Sequence, residues 1–182
     1  MSSFQQGDVI RDYVFPLCTI ANPDGEPPWR FERFLGTGFV IGDRGFALTA
    51  AHVIPQSAVA RIAGAFVTQE GRWWAARIIA HEAHPTEDVS VVRLPGQPWK
   101  SFFRLTHTWE GASARYQMWG YPEDVAQEFE AVGRVVDRPD LVYAEGYVRR
   151  RLAAHTIPSI LGTEFFEVSE VVGPGACPSI GR

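Results

Sequence analysis

Three residues in this sequence combine a type used in nucleophilic or acid–base catalysis with a position where it could act. They are His52 at the end of "FALTAAH", Asp88 at the start of "DVSVVRL", and Cys177 in the closing stretch "GPGACPSIGR". An imidazole takes up and returns a proton near neutral pH, which suits it to general base and then general acid. Ala50 and Ala51 leave room around its ring, and Pro55 limits any helix that could follow. Asp88 stands immediately before an alternating apolar run, so its carboxylate is expected at the mouth of a sheet. A buried acid beside an imidazole N–H fixes the tautomer and stabilises the imidazolium formed when the ring accepts a proton. Alone, each residue also fits an ordinary structural role, a satisfied histidine or a turn acid. The pair carries the chemical signal.

Metal binding is a second use of the same region, with His81, His84 and Asp88 spaced as H-x2-H-x3-D. Zinc accepts histidine and carboxylate ligands, but this spacing suits neither a strand nor a turn, and no cysteine lies nearby. No metal and no organic cofactor is expected.

The elements that must position these residues read as strands. Short β-like runs are closely spaced and punctuated by Gly, Pro, Asp and Asn, and no stretch keeps a 3.6-residue apolar period over three turns. Strands are predicted at 13–20, 34–41, 46–50, 58–68, 72–80 and 88–94, and after a proline-bearing connector at 114–122, 129–136, 141–148 and 164–170. The expected fold class is all-β, in two lobes: residues 1–96 carrying His52 and Asp88, a connector over 97–112, and residues 113–182. Trp73 and Trp74 are adjacent, so in a strand one faces the core and the other faces away. Tyr116 and Trp119 are expected to pack the second lobe, and His107 and His155 to be surface or structural.

With 182 residues, 46% of them hydrophobic and 13% aromatic, the chain can bury a substantial core. A net charge of −4 and a pI near 5.7 argue against a basic face for nucleic acid or anionic lipid. The one basic cluster, Arg149, Arg150 and Arg151, reads as a solvated strand end or turn. No apolar run reaches the roughly 18 residues of a membrane span. The start "MSSFQQGDVIRDY" lacks the pattern of a secretory signal, so the expected location is the cytoplasm. Cys18 and Cys177 are too few for a disulfide framework. Cys18, in "VFPLCTI", is expected to be a buried inert thiol.

Taken together, "GTGFVI", "LTAAHV", "DVSVVRL", "GYP" and "FEVSEVVGPGA" resemble the trypsin-like, chymotrypsin-fold serine peptidases, in their compact bacterial form without disulfides. The resemblance covers nearly the whole chain. It implies two chymotrypsin-like β-barrels with the site in the crevice between them, His52 as general base and Asp88 as its orienting acid, in the chain order His, Asp, nucleophile. It also implies a peptide or protein substrate, with neither nucleic acid nor membrane as partner.

In that family the nucleophile sits in a turn of the form G-x-S-G-x-P. Gly175 matches the glycine whose N–H helps form the oxyanion hole, and Cys177 takes the nucleophile's place. Pro178 and Ile180 then stand where glycine and proline are expected. Three readings stay open: Cys177 is a thiolate nucleophile activated by His52; Ser179 serves from a shifted register; or the coding sequence continues past this point, the last residues coming from a truncation or reading-frame error, and the second barrel is incomplete here. Val171, six residues before Cys177, falls at the base of the family's specificity pocket and implies a small or apolar preference. The functional expectation is a serine-type endopeptidase acting through an acyl-enzyme. The alternative is an inactive homologue that binds peptides or proteins.

Overall fold

The computed structural model describes residues 10, 12–25, 30–67, 73–96, 99, 101, 103, 105–106, 111–122, 141–153 and 162–169. The fold is all-β: among these residues the regular elements are ten strands and two short 3₁₀ segments. The strands are β1 (Val14–Ile20), β2 (Phe31–Ile41), β3 (Phe46–Thr49), β4 (Ile62–Val67), β5 (Trp73–Arg77), β6 (Ala80–Ala83), β7 (Ser90–Arg93), β8 (Arg115–Gly120), β9 (Val142–Ala153) and β10 (Glu164–Val168). All pair antiparallel with their neighbours.

The first seven strands form one sheet in the order β5-β4-β1-β2-β3-β7-β6. Its two ends, β5 and β6, are consecutive halves of a single chain segment. The link between them bonds to both edges, the Ile78 N–H donating to Ile62 O and the Ile79 N–H to Arg93 O, each at 2.9 Å. The sheet therefore curls into a half-barrel in which one continuous segment runs along β4 with its first half and along β7 with its second. The predicted single strand over 72–80 is in fact two, because a segment that serves opposite edges of a curling sheet must change partner midway. Likewise, the predicted strand over 58–68 begins only at Ile62, and Gln56–Arg61 winds as a 3₁₀ turn behind Pro55.

Inside the barrel pack Phe15, Leu17, Val40, Ile62, Phe66 and Val92. Against this core packs an aromatic stack in which Trp74 lies 5.1 Å from Phe66 and 5.8 Å from Trp99, centroid to centroid. Trp74 is thus the core-facing member of the tryptophan pair; the Trp73 side chain lies outside the described residues. β1 presents its alternate side chains, Val14 and Cys18, to a second apolar cluster with Phe34, Phe39, Ala65 and Tyr121. Covered on both faces, β1 reads as a continuous apolar run instead of an alternation. Burial holds the Cys18 thiol far above its ordinary pKa, so it stays a protonated, inert thiol.

The remaining strands form a smaller sheet in the order β10-β9-β8. β9 runs on to Ala153, beyond the predicted limit at 148, so Arg149, Arg150 and Arg151 lie within a strand and not at a strand end or turn. Arg149 and Arg150 pair with Glu167 at 3.1 and 2.5 Å, and Arg151 pairs with Glu164. These carboxylates on β10 extend the pairing and account for the basic run. The predicted strand over 129–136 lies outside the described residues. Trp119 on β8 packs against the cluster around Tyr121, where the two sheets meet. No helix among the described residues is long and apolar enough to cross a membrane.

Candidate active site

His52 sits in a one-turn 3₁₀ segment, Ala51–Val53, that follows β3 directly. Its neighbours Ala50, Val53 and Ile54 are buried in the barrel core, and the N–H groups of Val53 and Ile54 donate to Ala50 O and Ala51 O, each at 3.1 Å. With the backbone anchored on both sides, the ring is turned outward, and its side chain is 59% exposed. One strand earlier in the chain, the Thr49 hydroxyl donates to Thr37 O at 2.8 Å and ties the end of β3 to β2.

Asp88 was expected at the mouth of a strand, and it lies in the loop two residues before β7 begins at Ser90. Its side chain is 11% exposed, and both oxygens face His52. Oδ2 meets His52 Nδ1 at 2.6 Å, and Oδ1 accepts the His52 main-chain N–H at 2.9 Å. This two-point contact sets the rotation of the carboxylate as well as that of the ring. With a carboxylate at Nδ1, the imidazole proton is held there and the Nε2 lone pair points away, toward the exposed side.

The loop that carries Asp88 has its own fastenings. The His84 N–H donates to Val89 O at 2.8 Å and closes the loop at its neck. Within it, the Thr86 and Glu87 N–H groups donate to His84 Nδ1 at 3.3 and 3.1 Å. Glu87 reaches across to the second sheet, where its Oε1 accepts the Thr163 hydroxyl at 2.5 Å and its Oε2 accepts the Thr163 N–H at 3.2 Å. His81, His84 and Asp88 therefore do not converge on a common point. Among the described residues no group of three or more His, Cys, Asp or Glu is placed to hold a metal ion.

Thr37 and Tyr121 complete the setting. The Thr37 hydroxyl oxygen accepts the Tyr121 N–H at 2.8 Å and donates toward Tyr121 O at 3.4 Å, and the Tyr121 hydroxyl donates to Val14 O at 3.4 Å. The motifs "GTGF" and "GYP" are thus joined side by side, a contact that neither motif announces by itself. Glu87 and Thr163 give no sequence signal at all, and His84 stands out only as a metal-ligand candidate. Val171, Gly175, Cys177 and Ser179 lie outside the described residues, as do His107 and His155.

The sequence pattern of the trypsin-like peptidase domain matches residues 36–162, a span that includes both His52 and Asp88. No curated protein matches the chain. Among solved structures the chain is similar to an HtrA-type protease, AlgW with a decapeptide, at 16% identity and a TM-score of 0.56, over 92% of this chain and 51% of that one. It is also similar to the MamO protease domain from Magnetospirillum magneticum in its apo form, at 14% identity and a TM-score of 0.50, over 87% of this chain and 69% of that one. The chain spans about half the length of the AlgW chain, and at these identities the likeness concerns the fold. The match over residues 36–162, carried on a curled seven-stranded sheet with a second, smaller sheet beside it, places the chain in the trypsin-like peptidase family.

Proposed function

We propose that this chain carries the base and the orienting acid of an endopeptidase that cleaves peptide bonds through an acyl-enzyme. His52 Nε2 takes the proton of the nucleophile as it attacks the scissile carbonyl, then returns that proton to the departing amine. Asp88 holds the ring in the required tautomer and offsets the charge of the imidazolium. The nucleophile belongs at position 177, where the thiolate of Cys177 would form a thioester, with the N–H groups of Gly175 and residue 177 stabilising the oxyanion. Val171 is assigned to the base of the specificity pocket, with a small or apolar side chain preferred there. An extended peptide is the proposed ligand, the AlgW structure being one with a decapeptide.

The observation that supports this reading is the two-point hold of Asp88 on His52, which leaves Nε2 as the free basic atom. A second reading, a peptide-binding module without turnover, is favoured by Pro178, since a proline there would restrict the residue before it, Cys177, and reshape the turn expected to expose its sulfur. Hydrolysis of a fluorogenic peptide library by the protein and by His52→Ala separates the two. Turnover that collapses in His52→Ala, with iodoacetamide labelling of Cys177 that depends on His52, supports the peptidase. Peptide binding without turnover in the unaltered protein overturns it in favour of the binding module, and fluorophosphonate labelling of Ser179 moves the nucleophile to that residue.

A further inference from the structure

We infer that His84 is a positioning residue for the His52–Asp88 pair: its neutral imidazole fastens the loop that presents Asp88, so the pair is assembled only while His84 is unprotonated. The inference rests on the peptidase reading for its effect on turnover, but the fastening itself is a property of the fold.

The argument begins with donors and acceptors. Two main-chain N–H groups, those of Thr86 and Glu87, point at His84 Nδ1 at 3.3 and 3.1 Å, with the Thr86 hydroxyl at 3.5 Å. A main-chain N–H can only donate, so Nδ1 must offer its lone pair, and the ring proton resides on Nε2. This is the work that Asn or Asp does in a side-chain-capped turn, where a δ oxygen accepts the N–H groups two and three residues on. The Nδ1 of histidine is the same number of bonds from the backbone as that δ oxygen. Pro85 adds to the effect, since the residue before a proline is held extended and the turn is set to start there.

The fastening reaches the catalytic pair through one peptide. The Glu87 N–H is held by His84, the Glu87 carboxylate by Thr163, and the next residue, Asp88, holds His52. Protonation of His84 replaces the lone pair at Nδ1 with an N–H that faces two further N–H groups. The acceptor is lost, like partial charges oppose one another, and the loop is released from the position that aims Asp88. Imidazole is the side chain whose charge changes within about pH 5–8. The other titratable and charged groups on the elements around the loop are His81 and Glu82 on β6, Arg93 on β7, Glu87 and Asp88 in the loop, Glu164 beside Thr163, and His52. Of these, Glu87 is engaged by Thr163 and Asp88 by His52.

The test compares the full chain with His84→Asn, which keeps an acceptor at the δ position and does not titrate, and with His84→Gln, which moves the polar group one bond outward. In a pH titration followed by 1H–15N NMR, the Thr86 and Glu87 amide signals are expected to move with the midpoint of the His84 ring, and to stay still in His84→Asn. The low-field Nδ1 proton of His52 is expected at neutral pH in the full chain and in His84→Asn, and to be lost in His84→Gln. Amide signals that ignore the His84 titration, or a His52 proton unaffected in His84→Gln, overturn the inference. In turnover, a misplaced Asp88 in His84→Gln should lower kcat/KM on the order of 10–100-fold. The acid limb of the pH profile should fall with two protons in the full chain and with one in His84→Asn. If no variant hydrolyses peptide, the peptidase reading fails, while the NMR signals still decide whether His84 positions Asp88.

Discussion

The hydroxyl oxygen of Thr37 accepts the main-chain N–H of Tyr121 at 2.8 Å, joining residues 84 positions apart in the sequence at the seam between barrel and second sheet. Both residues are buried, Tyr121 at 1% exposure, so water is not available to replace the bond. Thr37→Val keeps the shape and removes the acceptor that this buried N–H uses. The expected cost is about 1–3 kcal/mol, read as a lower urea midpoint with an unchanged slope. Thr37→Ser, which retains the hydroxyl, should recover most of it, and equal losses in the two variants would count against the assigned bond.

Asp88 and His52 allow a tautomer test that does not depend on turnover. In Asp88→Asn, a side-chain NH2 turned toward His52 Nδ1 requires a lone pair there, and the ring proton moves to Nε2. Long-range 1H–15N spectra should report this switch directly. If the chain is a peptidase as proposed, kcat should fall by about 10⁴-fold in the same variant, because the base has lost its lone pair at Nε2. A ring that keeps its tautomer in Asp88→Asn would show that Asp88 does not set it.

Gly64 on β4 faces the barrel interior against the ring of Phe15. A Cβ placed there would lie 2.7 Å from two carbons of that ring and 2.9 Å from Phe66. Gly64→Ala therefore overfills the core, at an expected cost of about 1–3 kcal/mol. Adding Phe15→Leu opens the space the methyl needs, so the double variant should lose less than the sum of the two single ones. Strict additivity in chemical denaturation would contradict this packing.

The pairing of β9 with β10 should show in the pH dependence of stability. The hydrogen bond from Arg150, with the charges of Arg150 and Arg149, holds the Glu167 carboxyl below its ordinary value of 4.5. A carboxylate with a lowered folded pKa stabilises the fold above its unfolded pKa, and that contribution disappears as pH falls through the folded value. The melting temperature should therefore exceed that of Glu167→Gln at pH 7, with the gap closing below about pH 4.5 and shrinking in high salt, since these charges are exposed. A gap that grew on acidification would reverse the sign of the argument.

The all-β class, most of the strands and the candidacy of His52 and Asp88 are legible in the sequence, because the signals that carry them are local. Alternation, turn residues and small neighbours ahead of a histidine all act within a few positions of the residue concerned. The details that depend on partners distant in the chain required the tertiary structure. The segment over 73–83 breaks into two strands because the curl of the sheet gives it different partners on its two halves. Arg149, Arg150 and Arg151 fall inside β9 because Glu164 and Glu167 arrive opposite them on β10. Asp88 meets His52 across 36 residues, and Glu87 meets Thr163 across 76. Composition and periodicity state which side chains must be buried, but a hydrogen bond requires two groups at one place and one angle. The sequence alone determined which residues could have the chemistry; the curled sheet, with the second one alongside, decided which of them meet.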